Sequence, residues 1–278
     1  MNYDLLTVGE TDPDDLRAAL AELFSVPETE VDVSPEDSET TNWEAAVLCA
    51  YKPVHGDVTL SLDIYIRGTG PEVSTAAAHL AGALGVLVLY ASQPFPPSAY
   101  WLVEPHGRRT RARVYEMDEG DLPHLVIDAV AGPVAALPTV DVKRQPEVIR
   151  EHQLPLPVTE ELRTSLADAH PEQAENLRHL LSSLGGWESM VARMTAGWPP
   201  DGWYPRDYFE DDLWARDEVA TSMASLPGDV RDRVAAALAR IDDVYWASTS
   251  EVADSPEDPR WWRRRVPDPV PWPGDAAR

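Results

Sequence analysis

Arg109, Arg111 and Arg113 alternate along the chain, and that spacing could do chemistry. On a strand, alternation sends all three side chains to one face. Three guanidinium forks in a row could then grip a phosphate chain or an anionic small molecule. The plainer use of the same spacing is pairing with Asp63, Glu116 or other acids across a sheet. His55, His79 and His106 could supply acid–base groups beside that strand, in an enzyme whose site is assembled from distant residues. None of the seven histidines makes a zinc-type pair at helical or finger spacing. Glu210-Asp211-Asp212 lacks the glycine and alternating oxygen ligands of a calcium loop, and Asp212 with Arg216 reads as an ion pair across one helical turn. Gly68-Thr69-Gly70 follows a strand pattern and precedes a helix pattern, where an anion-binding turn would sit. The remaining glycines of a dinucleotide fingerprint and the Lys-Ser/Thr pair of a P-loop are missing. No Gly-x-Ser-x-Gly elbow is present. No catalytic residue, metal or cofactor is expected.

The charge is the more informative signal. The 278 residues carry a formal net charge of −25. Such a field keeps a protein soluble, opposes nucleic acid and anionic membranes, and accelerates encounter with basic proteins. The first 48 residues are extreme, with Asp4, Glu10, Asp12, Asp14, Asp15, Glu22, Glu28, Glu30, Asp32, Glu36, Asp37, Glu39 and Glu44 facing Arg17 alone. The lone cysteine, Cys49, sits in the apolar run Ala45–Tyr51 and reads as a small buried hydrophobe. The N-terminal residues lack the basic stretch and apolar core of a signal peptide. No apolar run reaches the roughly 20 residues of a membrane helix. A cytoplasmic protein is expected.

These residues need elements to hold them. Asp12-Pro13 starts a helix, with an N-cap acid and proline at the first helical position, and Leu16, Leu20, Leu23 and Phe24 share its face. A short strand is expected around Val31–Val33. Leu60, Leu62, Ile64 and Ile66 alternate with Ser61, Asp63 and Tyr65, the period of a half-buried strand. Val54-His55-Gly56-Asp57 turns the chain before it. A second helix opens at Gly70-Pro71 and stops at Gly85, and Val86–Tyr90 is a buried strand. Tyr100–Val103 and Arg109–Tyr115 form a hairpin that turns at 104–107. Pro123 to Pro157 is proline-punctuated and weakly periodic, as a linker or strapping segment would be.

Beyond it the strand pattern vanishes. Thr159 caps one helix, Pro171 starts another that Gly185-Gly186 ends, Phe209 to Met223 marks a third, and the strongest begins at Pro227 and carries Val230, Val234, Leu238, Ile241 and Tyr245. The expected class is α+β: a two-layer, mainly antiparallel sheet with helices in the N-terminal half, followed by an all-helical C-terminal region. The expected divisions are a domain over 1–140, a proline-rich linker over 141–157, a helical domain over 158–250 and an extended or disordered tail over 251–278.

Eight of the ten tryptophans fall in the last third: Trp187, Trp198, Trp203, Trp214, Trp246, Trp261, Trp262 and Trp272. Tryptophan and tyrosine anchor protein interfaces, and neighbouring prolines lower the ordering cost of binding. The loop 197–205 could equally cap a small helical core. In this region Tyr204-Pro205, Asp211-Asp212-Leu213, Arg216-Asp217, Leu226-Pro227 and Arg260-Trp261-Trp262-Arg263-Arg264-Arg265-Val266-Pro267 resemble uncharacterised actinobacterial proteins, some of which look like immunity proteins of bacterial toxin systems. The resemblance covers roughly residues 187 to 272, and it implies an acidic inhibitor that blocks its cognate toxin by tight binding.

The expected function is therefore non-enzymatic capture of a basic protein partner, such as a toxin with a positive surface. Asp14, Asp15, Glu28, Glu30 and Glu36 would steer the partner, and Trp198, Trp203, Tyr204, Trp261 and Trp262 would anchor it. Arg109, Arg111 and Arg113 remain the anion-binding alternative, and an adaptor subunit of a larger complex is a third reading. Oligomeric state is not legible.

Overall fold

The computed structural model describes residues 1–93, 96–117, 123–167, 174–252 and 259–272. They form two compact units, Met1–Glu147 and Val148–Arg278. His170 and the helix start expected at Pro171 lie outside the described residues. No helix among the described residues is long and apolar enough to cross a membrane.

The first unit runs β1 (Asn2–Val8), α1 (Pro13–Phe24), β2 (Val31–Pro35), β3 (Val47–Pro53), β4 (His55–Gly56), β5 (Leu60–Ile66), α2 (Val73–Leu84), β6 (Leu87–Ala91), β7 (Ala99–Val103), β8 (Arg109–Met117), β9 (His124–Val130) and β10 (Asp141–Val142). The strands make one ten-stranded sheet in the order β10-β9-β8-β7-β6-β1-β5-β3-β2, with β4 beside β9. It is mixed but mostly antiparallel. β2 runs parallel to β3, and β4 and β10 run parallel to β9.

Alternation decides the layers. Leu62, Ile64 and Ile66 point to the face where α1 and α2 bury Leu16, Leu20, Ala77 and Leu80, joined there by Tyr3, Leu5, Val33, Val47 and Cys49. Each fully buried Leu or Ile in such a layer contributes about 1.5–3 kcal/mol. On the opposite face, the half of the sheet around β6–β9 is covered by chain segments rather than helices: Val54, Val58, Val134 and Leu137 pack on Leu89, Leu102, Val114 and Ile127. α1 begins as expected, with the Asp12 carboxylate accepting from the Asp14 amide at 2.8 Å. Gly70 has a steric duty, since a Cβ there would lie 2.1 Å from the Tyr3 hydroxyl. That hydroxyl donates to the Pro71 carbonyl at 2.9 Å.

Strands of this unit depart from the sequence reading at four places: two-residue β4 forms in the expected turn 54–57, two-residue β10 forms at the start of the expected linker, and β1 and β9 are longer departures. β1, where only a non-signal N-terminus was read, lies near the middle of the sheet between β5 and β6. β9 falls where a linker or strap was expected. Six of its seven residues pair with β8, the register skipping Asp128 at a bulge between Arg113 and Val114, and the Ile127 amide donates to the Asp57 carboxylate at 2.8 Å.

The second unit contains α3 (Glu147–Glu151, which begins on the boundary residue), α4 (Pro157–Ala167), α5 (Ala174–Thr195), α6 (Arg206–Ser222), α7 (Gly228–Ala247), β11 (Thr249–Glu251) and β12 (Arg265–Pro267). Its core gathers Leu162, Leu184, Trp187, Met190, Phe209, Leu213, Val234, Leu238, Ile241 and Tyr245. Gly185-Gly186 does not end a helix. α5 runs through both, and a Cβ on Gly186 would stand 3.4 Å from that of Ala215, so the glycine lets α6 approach closely. Thr159 is not the cap of α4 either. It is fully buried inside the helix, and the amides of Val158 and Thr159 are capped by the Glu188 carboxylate on α5 at 2.8 and 2.7 Å.

The region is not purely helical, and this corrects the expected all-helical class. β11 pairs antiparallel with β12, and a 3-10 turn over Trp261–Arg264 precedes β12. Asp217 holds the segment 260–263 in place. That carboxylate accepts from Trp262 Nε1 at 2.9 Å, Arg263 Nε at 2.8 Å and Arg260 Nη1 at 2.9 Å. Burial would raise the Asp217 pKa, but these donors outweigh it and hold the group below its ordinary value.

Candidate functional site

The half of the sheet opposite α1 and α2, at β1, β5, β3 and β2, presents polar side chains. Two cross-strand rows define its surface. Asp4, Asp63, Ala50 and Ser34 stand side by side in one row, and Asn2, Tyr65, Leu48 and Asp32 in the next. The small Ala50 and Ser34 leave a hollow. The loop after β2 supplies its wall, and the result is a cavity of about 410 Å³ lined by Asp32, Glu36, Asp63, Trp43, Tyr65 and Arg67, among others.

Its electrostatics are unbalanced. Asp4 faces Asp63 directly, and like charges opposed across an antiparallel pair repel. Both are exposed, and among the described residues neither pairs with a cation or accepts a hydrogen bond. The Asp63 pKa is raised by partial burial and by the charges of Asp4 and Glu36. Asp32 is held by Ser34 Oγ at 2.8 Å and the Asn42 amide at 3.1 Å. The cations nearby are engaged: Lys52 with Glu36 at 3.2 Å, and Arg67 with the Trp43 carbonyl and with Glu44 at 3.7 Å. Trp43 is 70% exposed and Tyr65 42%. Exposed aromatic surface beside uncompensated carboxylates suits a cation, through ring faces as well as charge. Cys49 backs the cleft, its thiol pKa pushed up to about 12 by burial, so it is no nucleophile.

Of the acids expected to steer a partner, Glu36 lies at this cleft. Asp14 and Asp15 project from α1, and Glu28 and Glu30 from a 3-10 turn before β2, all exposed. The expected aromatic anchors are placed differently. Trp198, Tyr204 and Trp262 are buried in the helical core, whereas Trp203 and Trp261 are partly buried against it. Tyr204 donates to Asp212 and stacks on Trp198 with ring centroids 4.7 Å apart. Trp262 lies under the Arg216 guanidinium at 4.1 Å.

The three arginines share a face as expected, but they are engaged within the sheet. Arg113 makes a bidentate pair with Asp128 at 2.8 and 2.6 Å. Arg109 and Arg111 stack on Trp101 at 5.0 and 3.6 Å, and Arg109 also bonds the Tyr90 hydroxyl. Asp63 is on the other face and partners none of them. His55, His79 and His106 sit on β4, on α2 and in the β7–β8 turn. The His79 ring meets the Ala19 carbonyl at 3.2 Å, and His106 approaches Glu104 at 3.9 Å. Among the described residues no group of three His, Cys, Asp or Glu is placed to hold a metal ion. A second cavity, about 380 Å³ in the helical unit, is walled by Leu154, Pro155, Val191 and Ile241. Its polar groups are committed, Glu188 to capping and Arg240 to Glu161 at 2.8 Å.

Sequence reading missed Trp43, Tyr65 and the Asp4–Asp63 juxtaposition. The alternation of β5 did place Asp63 and Tyr65 on the outward face. Trp43, in a polar stretch, carried no pattern. Compared with protein-family models, curated proteins and solved structures, the chain matches none.

Proposed function

We propose that this chain is a non-enzymatic binding protein, an immunity-type inhibitor that neutralises a basic toxin or effector by tight protein–protein association. The observation that carries this reading is the outward sheet face of the first unit, where Asp4 and Asp63 oppose each other beside Asp32, Glu36 and two exposed aromatics. A folded protein that leaves like charges face to face is stabilised when a cationic surface covers them. The exposed acids of α1, on the other layer, and of the following turn add to the overall negative field rather than to this surface. The resemblance of roughly residues 187–272 to uncharacterised actinobacterial proteins, some of which look like immunity proteins, points the same way.

The test is association kinetics with whatever basic protein co-purifies with the native chain. Replacing Asp14, Asp15, Glu28, Glu30 and Glu36 together by their amides should slow association about tenfold at low salt and flatten its salt dependence, because exposed charges act through a screened long-range field. Wild-type association by that variant at low salt would remove steering from the proposal.

A further inference from the structure

We propose that the cleft beside β2 is a pocket for a single arginine side chain, which the basic partner inserts against Trp43 and Tyr65 with Asp63 meeting its charge. The inference rests on the basic-partner reading and names the group that the site recognises.

Three features select that group. The cavity, about 410 Å³, is larger than one side chain needs, so it admits a guanidinium with its aliphatic stem. Two of its lining residues present aromatic surface to solvent, Trp43 at 70% and Tyr65 at 42% exposure. A planar, weakly hydrated guanidinium stacks on such rings and also forks onto a carboxylate, whereas an ammonium offers only a point charge. The charge is complementary: Asp32, Glu36 and Asp63 line the cleft against Arg67, which is tied to Trp43 and Glu44, and while Glu36 pairs with Lys52 and Asp32 accepts from Ser34 and the Asn42 amide, Asp63 is matched by no cation among the described residues. The molecule repeats this chemistry internally, where guanidinium groups stack on Trp101, Trp262 and Trp246 at 3.6, 4.1 and 3.9 Å.

The probe is a blocked Gly-Arg-Gly peptide titrated into the full chain, followed by NMR at the Trp43 indole N–H and the Tyr65 amide. Its control is the same peptide with citrulline, which keeps the shape and loses the charge. Saturable shifts are expected for the arginine peptide, with citrulline about tenfold weaker. Trp43→Ala, Tyr65→Ala and Asp63→Asn should each weaken the arginine peptide about fivefold, the scale of one cation–ring or exposed charge contact. All three side chains are exposed, so thermal melts should confirm that the variants stay folded. Equal shifts with citrulline, no saturation, or indifference to both Trp43→Ala and Asp63→Asn would overturn the pocket. Failure of the parent reading looks different: association with the partner would then be indifferent to salt and to the distant acids Asp14, Asp15, Glu28 and Glu30, whatever the peptide does.

Discussion

The two units handle charge in opposite ways. In the second, cations and tryptophans are engaged with each other, even where Trp214 and Trp246 stay more than half exposed. Arg216 grips Asp242 at 3.0 and 2.8 Å, Trp187 donates to the same carboxylate at 3.0 Å, and Arg265 lies over Trp246 while bonding the Thr249 hydroxyl at 2.8 Å. In the first, Asp4, Asp63, Tyr65 and Trp43 point outward with their charge and ring faces unmatched. Residue types alone would assign the binding surface to the tryptophan-rich half. Placement reverses this: the aromatic richness of the second unit is largely cohesion, and the sparser aromatics of the first are available. A tryptophan signals an interface only when the fold leaves it no arginine or core of its own.

The contrast is most exposed to failure at Trp187, fully buried among Tyr245, Asp242 and the helical core. Trp187→Ala should cost about 3–5 kcal/mol in urea unfolding. Asp242→Ala should cost a similar amount, about 3–5 kcal/mol, because it leaves Arg216 buried without its counter-ion. Costs below 1 kcal/mol would mean that the second unit is not built on these contacts.

A smaller effect should appear with pH. Burial pushes Asp212 up to about 6, although Tyr204, Arg193 and Arg150 favour its charged form and Asp211 opposes it. An unfolded Asp titrates near about 3.9. Between roughly pH 4 and 6 the folded state therefore binds the extra proton, so this contribution is full below the window and lost as pH rises through it, on the order of 3 kcal/mol at most. Unfolding free energies across pH 4–7 should fall less steeply in Asp212→Asn. An unchanged slope would show that Asp212 ionises normally.

The smallest effect carries the opposite sign. Asp63→Asn removes the repulsion from Asp4 and should stabilise the first unit by about 0.2–1 kcal/mol, while weakening partner binding. A destabilising result would mean the pair is balanced within the chain, and the two units would no longer differ in kind.

Much of the scaffold was legible. The Asp12-Pro13 start of α1, the alternation of β5 and the apolar repeat of α7 are local patterns, and each element formed where its pattern lay. What escaped was set by partners distant in sequence. Glycines at 185 and 186 read as a stop because the close approach of α6 is invisible locally. The 260–265 segment read as a loose tail because Asp217, which anchors it, is more than forty residues away. The site escaped for the same reason. Asp4 and Asp63 were visible as charges, but their opposition follows from pairing of the first strand with the fifth.

That pairing also bears on how the chain is made. Leu6 of β1 ends up opposite Leu89 of β6, so the strand emerges from the ribosome 83 residues ahead of that neighbour. At roughly 5–20 residues per second the interval lasts about 4–17 s. Within it β5 can pair with one edge of β1, but the edge that β6 covers, with Leu5 and Leu6 along it, stays open. An open strand edge is a template for mispairing, and the acids around β1 oppose self-association there through like-charge repulsion.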